Sequence, residues 1–198
     1  MARRRTAETR KARAPYGLDR KALPGAAGGF LLGLFVVFAF AAPYERALAA
    51  AAQLVVRAFE SPAETRLSAS GGEFRVERAD FPPESARPGL PAADLHFNFA
   101  LLAALFGLAR HPLAARNVGR FWIAAAALFG IHVVALVFQV EALYATRLGP
   151  WSEAHYGAFA RNFWATGFHF YQIAGRFAAP FALWWGFRAP LRLPDEAS

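Results

Sequence analysis

Between Lys21 and Glu45 the chain runs 23 residues without a charge, and "FLLGLFVVFAF" lies at the heart of that run. About 20 apolar residues suffice for a helix to cross the hydrocarbon core of a bilayer. In lipid the backbone must satisfy its own hydrogen bonds, so a helix or a closed barrel is required. Long uncharged runs recur. Phe121 to Val140 gives 20 uncharged residues, and Leu95 to Ala109 gives 15, about 22 Å as a helix. A fourth apolar stretch, "ARNFWATGFHFYQIAGRFAAPFALWW", carries Arg176 near its middle. The apolar share of 56% is therefore concentrated in runs separated by charged pieces, the pattern of a multi-pass membrane protein.

The formal net charge of +8 points to topology once its distribution is read. Residues 1–23 hold eight Lys or Arg against two acids, whereas residues 43–94 hold six Arg against eight acids. A basic segment ahead of a hydrophobic run follows the positive-inside rule, and no nucleic-acid partner is expected. Attraction of the tail to anionic membrane lipids is compatible with this reading. The leader also shows Ala39-Phe40-Ala41, a small-x-small cleavage pattern. An uncleaved anchor is favoured, because apolar character continues into "RALAAAAQLVVRAF" as a helix leaving the membrane, with Arg46, Gln53 and Arg57 in water.

Residues 61–93 change character. "ETRLSASGGEFRVER" alternates apolar and polar on both sides of Gly71-Gly72, a β-hairpin signal. "FPPESARPGLP" has four prolines in eleven residues and reads as an extended linker. The expected fold is an all-α membrane protein of four transmembrane helices with a small extracytoplasmic β-hairpin. Residues 1–23 form a basic cytoplasmic tail. The membrane domain covers 24–188, with spans at about 24–44, 95–110, 120–142 and 162–187 and the hairpin segment at 61–93. Residues 189–198 form a second cytoplasmic tail. Both termini face the cytoplasm of a bacterial inner membrane, because this orientation puts 8, 3 and 2 basic residues on the inner side.

Polar residues inside spans are expensive and tend to face the bundle. On an ideal helix, Asn162, Thr166, His169, Gln172 and Arg176 fall within about 120° of one another, with Tyr171 opposite. Arg176 lies roughly 20 Å below Phe163. On the third span His132 matches Arg176 in depth and Gln139 matches His169, while Glu141 falls about 180° from His132 on an ideal helix. On the second span Asp94 and Asn98 share a face and His96 points away. The candidate binding cluster is Asn98, His132, Gln139, Arg161, Asn162, His169, Gln172 and Arg176. Arg and His supply positive charge, and Asn and Gln supply hydrogen bonds, for an anionic group such as a lipid phosphate or a peptide carboxylate. The competing reading is interhelical pairing with no ligand. Trp151, Tyr156, Trp164, Trp184 and Trp185 are read as interfacial belts.

Catalytic templates are absent. The chain has no Cys, no G-x-S-x-G, no H-E-x-x-H and no phosphate-binding loop, and no two His stand at a metal-ligand spacing. No catalytic residue, metal or cofactor is expected. The phrases "HFNFALLAALFGLA" and "RNFWATGFHFYQIAGRFAAPF", set behind a basic N-terminus, one span and an outer β element, resemble the multi-pass membrane proteins associated with exosortases, in particular exosortase H. Exosortases process C-terminal sorting signals of exported bacterial proteins with a Cys nucleophile, which this chain lacks. The resemblance implies a non-enzymatic accessory protein of a protein-sorting system, with an exosortase enzyme or its substrate protein as partner. The alternatives are a membrane enzyme acting on a lipid-linked or peptide substrate, with His169 as base and Arg161 or Arg176 holding an anion, or a small transporter.

Overall fold

A computed structural model describes residues 23–60, 64–81, 89–109 and 111–188. Both expected cytoplasmic tails, the side chain of Asp94, and Arg110 lie outside the described residues. The first helix, α1, runs unbroken over Leu23–Phe59 with Pro43 inside it. A sheet of β1 (Arg66–Ser70), β2 (Glu73–Glu77) and β3 (Gly89–Pro91) follows, then α2 (Ala93–Gly107) and α3 (Ala115–Thr146). A short α4 (Pro150–His155) leads into α5 (Ala158–Phe170), a π-helical turn over Tyr171–Gly175, and α6 (Arg176–Arg188). The chain is thus mostly helical. Two of its helices, α1 and α3, are individually long and apolar enough to cross a membrane.

The hairpin turns at Gly71 and Gly72, both at positive φ (63° and 78°), which pairs Ser70 with Glu73 and Leu67 with Val76. Two left-handed residues in succession suit the twist of a two-residue hairpin, and only glycine takes them without strain. The sheet order β1-β2-β3 adds a strand that the sequence did not announce. The proline-rich segment is not wholly a linker, since Gly89–Pro91 pairs antiparallel with β2. Pro91 can sit there because β3 is an edge strand.

Two packed clusters hold the molecule. The larger joins the second half of α1 (Leu48, Ala49, Ala52, Val56), the inner face of the sheet (Phe74, Val76) and the second half of α3 (Leu136, Val140, Tyr144). Each large apolar side chain removed from water here contributes about 1.5–3 kcal/mol. The smaller cluster centres on Leu102, Ala124 and Leu128. Residues 45–59 are accordingly a packed part of the fold. Arg46 alone of the three expected water-facing residues is exposed. Gln53 accepts from the Leu67 N–H at 2.8 Å, and Arg57 Nε donates to the Thr65 carbonyl at 2.7 Å.

The other ends of α1 and α2 meet through small residues. Gly25, Gly29 and Gly33 repeat every four positions, on one face of α1. A Cβ added at Gly29 would stand 2.5 Å from the Ala103 carbonyl oxygen, and one at Gly33 would stand 2.8 Å from the Ala100 Cα. Gly25 and Gly107 are as close. This is the small-xxx-small contact by which helix backbones approach in membranes.

Candidate functional site

Three polar groupings occupy the described molecule, and the expected cluster is divided among them. The first is a chain of side chains from all the long helices. The Tyr44 hydroxyl lies 2.5 Å from His132 Nδ1, Asn98 Nδ2 lies 3.2 Å from His132 Nε2, and Asn98 Nδ2 donates to the Tyr171 hydroxyl at 2.9 Å. As placed, the Asn98 amide donates to Nε2, so the neutral imidazole carries its proton on Nδ1 and donates it to Tyr44. His132 and Asn98 are wholly buried. Beside them Glu45 Oε1 stands 3.5 Å from His96 Nε2 without making a hydrogen bond. His96 is therefore turned toward α1 and half-buried, not pointed away from the bundle.

The second grouping clamps a cap formed by the sheet and the ends of α1 and α3. Arg78 forks onto Asp80, Nε to Oδ1 at 2.8 Å and Nη2 to Oδ2 at 3.0 Å, and also pairs with Glu60. Its guanidinium lies 5.4 Å from the ring centroids of both Tyr144 and Trp151. Glu60 in turn accepts from the Thr65 N–H at 3.0 Å and from the Thr65 hydroxyl, which lies 2.7 Å from the Tyr144 hydroxyl. Burial works to lower the Arg78 pKa, but the Asp80 hydrogen bonds and the charges of Glu60 and Asp80 outweigh it and hold Arg78 above its ordinary value. The same Arg78 hydrogen bonds hold the Asp80 carboxyl below the usual range. Tyr156 donates to Glu141 Oε2 at 2.8 Å; burial, then the Glu141 charge, raises the Tyr156 hydroxyl pKa. Trp151 and Tyr156, expected in an interfacial belt, pack into this cap.

The third grouping is a cleft of about 220 Å³ between β3, the second half of α3 and α5. Gln139, His169 and Gln172 line it, joined by Arg147 and by the strand Gly89–Pro91. Gln139 is 4% exposed, and its Oε1 is a buried acceptor with no hydrogen-bond partner. Such an atom in a native fold asks for an explanation.

The remaining expected residues lie elsewhere. Asn162 borders an apolar groove with Phe138, Phe159, Phe163 and Phe170, and Asn162, Thr166 and His169 are all exposed. Arg161 is half-buried and does not line the cleft. Arg176 is half-buried, with its guanidinium 4.9 Å from the Phe177 ring centroid. Five residues read as one inward stripe are therefore not one stripe. Asn162, Thr166 and His169 precede the π turn and share one exposed face, so there the stripe turns outward; the π turn, whose wider i→i+5 ladder inserts a residue, shifts the phase of Arg176. Tyr171, placed opposite the stripe by an ideal helix, is 7% exposed and bonded to Asn98. His132 meets Tyr44 and Asn98, and Gln139 shares its cleft with His169.

Sequence reasoning also missed Tyr44, Tyr171, Arg78 and Arg147 as members of these groupings. Arg78 and Asp80 two positions apart look like ordinary solvated charges, and only the fold brings Glu60 and two rings to them. Comparison of the chain with protein-family models, with curated proteins and with solved structures finds no match.

Proposed function

We propose that the chain is a four-span integral protein of a bacterial inner membrane, with both termini cytoplasmic, that serves an exosortase-type protein-sorting system as a non-enzymatic accessory. Support for the membrane reading comes from large apolar side chains left outside the packed clusters: Leu31, Phe35 and Phe38 on α1, Trp122 and Ile123 on α3, Phe181 and Trp185 on α6. Apolar surface of this extent on helix faces is stable against lipid and not against water. Two further spans are supplied by α2, paired closely to α1, and by α5, the π turn and α6, which run on without a break for about 46 Å. Tyr44 stands about 31 Å along α1 from Leu23, so a hydrocarbon core of about 30 Å that begins at Leu23 ends near the His132 network.

The accessory role rests on one observation: the outward cleft with its buried, unpartnered Gln139 Oε1, beside a sheet clamped by Glu60, Arg78 and Asp80. A rigid wall with an unmet hydrogen bond favours binding. The enzyme alternative draws less support, because Arg161 does not line the cleft that holds His169.

Co-expression tests the assignment. The tagged full chain and an exosortase enzyme of the same cell, extracted together in mild detergent, are expected to co-purify at fixed stoichiometry, and the chain is expected to restore sorting in a strain deleted for it. Normal sorting in the deletion strain would sink the assignment.

A further inference from the structure

The cleft that supports the proposed role also carries information on what fills it. Its strand wall, β3, pairs with β2 on one side only among the described residues. Ala92 N–H donates to the Gly72 carbonyl at 2.9 Å, directly after the Glu73–Pro91 pair in the register. In an antiparallel ladder the direction of the backbone groups alternates residue by residue. Leu90 therefore turns its N–H and C=O to β2, while the Gly89 N–H, the Gly89 C=O and the Pro91 C=O point away from it. Pro91 has no N–H to offer. The wall thus presents two acceptors around one donor, and Gln139, which also lines the cleft, carries in Oε1 a buried acceptor with no partner.

That balance discriminates between ligand classes. A phosphate or a free carboxylate would meet Arg147 but, bringing acceptors alone, makes no use of the exposed strand carbonyls and leaves Gln139 Oε1 unmet; leaving a buried acceptor unpaired costs about 1–3 kcal/mol. A backbone in extended conformation brings donors and acceptors in alternation, at the spacing of the strand it joins. We propose that the cleft takes an extended peptide segment, added as a further strand along β3, with one of its N–H groups donating to Gln139 Oε1 and a polar or acidic side chain at Arg147. This deepens the outward binding role proposed above and rests on it.

A random decapeptide library displayed in vitro and selected against the full chain in nanodiscs provides the test. Selection is expected to enrich peptides rich in β-formers. Their affinity should fall at least tenfold on Gln139→Leu, on Gly89→Pro, which deletes the outward N–H and keeps the Leu90 bonds to β2 while displacing the end of the Glu73 side chain, and on N-methylation of one peptide amide. Melting curves that match the parent qualify each variant, and the N-methylated peptide needs no protein change. No enrichment over the Gln139→Leu protein overturns the proposal, as does binding indifferent to N-methylation. Competition by short-chain phosphatidylethanolamine that depends on Gln139 names a lipid headgroup as the occupant and overturns it too. Co-purification with a sorting enzyme is independent of all these outcomes, so failure here leaves the accessory assignment standing.

Discussion

Tyr44 and His132, 88 positions apart, meet hydroxyl to ring nitrogen, and through the other nitrogen of that ring the contact continues to Asn98 and Tyr171. One imidazole thus ties α1 to α2, α3 and the π turn. Hydrogen bonds between helices in a membrane contribute about 0.6–2 kcal/mol each. Tyr44→Phe is expected to lower stability by about 1 kcal/mol and His132→Leu by about 2 kcal/mol, the larger loss arising because both neighbours lose a partner. Thermal unfolding in detergent measures both. Members of one network couple, so the pair of substitutions together should fall short of the sum; strict additivity would mean that the network is not one unit.

The α1–α2 contact yields a paired comparison. Gly28 and Gly29 are neighbours, yet a Cβ at Gly28 meets nothing within 4 Å while one at Gly29 meets backbone at 2.5 Å. Gly29→Ala is expected to destabilise by about 1–3 kcal/mol through overpacking. Gly28→Ala is expected to be neutral or slightly stabilising, since alanine favours the helix. Equal effects of the two, read from melting in detergent, would show that α1 and α2 are not in close register.

Acid should loosen the cap before it affects the bundle. The folded Asp80 carboxyl is held below its usual value by Arg78. A carboxyl with a depressed pKa contributes stability that is complete above the unfolded value, near pH 4, and is lost as pH falls through the lowered folded value. Hydrogen exchange of the hairpin amides is expected to be flat from pH 7 to about 5, after correction for intrinsic exchange, and to accelerate below about pH 4. Arg78→Ala should show the fast exchange at every pH, because the hairpin loses both Glu60 and Asp80.

Reporter fusions check the spans. Fusions at residues 80 and 150 are expected outside, and those at 115 and 198 inside. Outside readings at 115 and 198 with an inside reading at 150 would mean that α2 dips and returns, leaving three crossings.

Legibility in the sequence followed the range of the interaction. Hairpin and turn were readable at Gly71-Gly72 because positive φ is a local demand that glycine answers. The apolar runs gave α1 and α3 directly. β3 was hidden because four prolines argue against a strand, and only an edge position, known after folding, excuses Pro91. The polar stripe failed on which face turns inward: Asn162, Thr166 and His169 share an exposed face, Tyr171 opposite them is the buried residue, and nothing in "YQIAG" marks the π turn that shifts Arg176. Gly25, Gly29 and Gly33 were legible by spacing and went unread, since their role needs the partner face of α2. Of the expected cluster, residues within one turn of a shared wall stayed together, as Gln139, His169 and Gln172 did, while Arg161 and Asn162 lay away from it.

The length of α1 has a mechanical side. From Leu23 to Phe59 it is one rod of about 55 Å, gripped at one end by α2 and at the other by β1. Helices tilt to match bilayer thickness at a cost of fractions of a kcal/mol per Å. In the proposed membrane setting Pro43, whose missing N–H weakens the ladder where the lipid-facing part meets the part that carries the sheet, is the joint of a lever, and such a tilt reaches the sheet through it. On the membrane reading proposed above, bilayer thickness is then an input to the width of the opening beside β3, where Gln139 stands about 10 Å along α3 from His132.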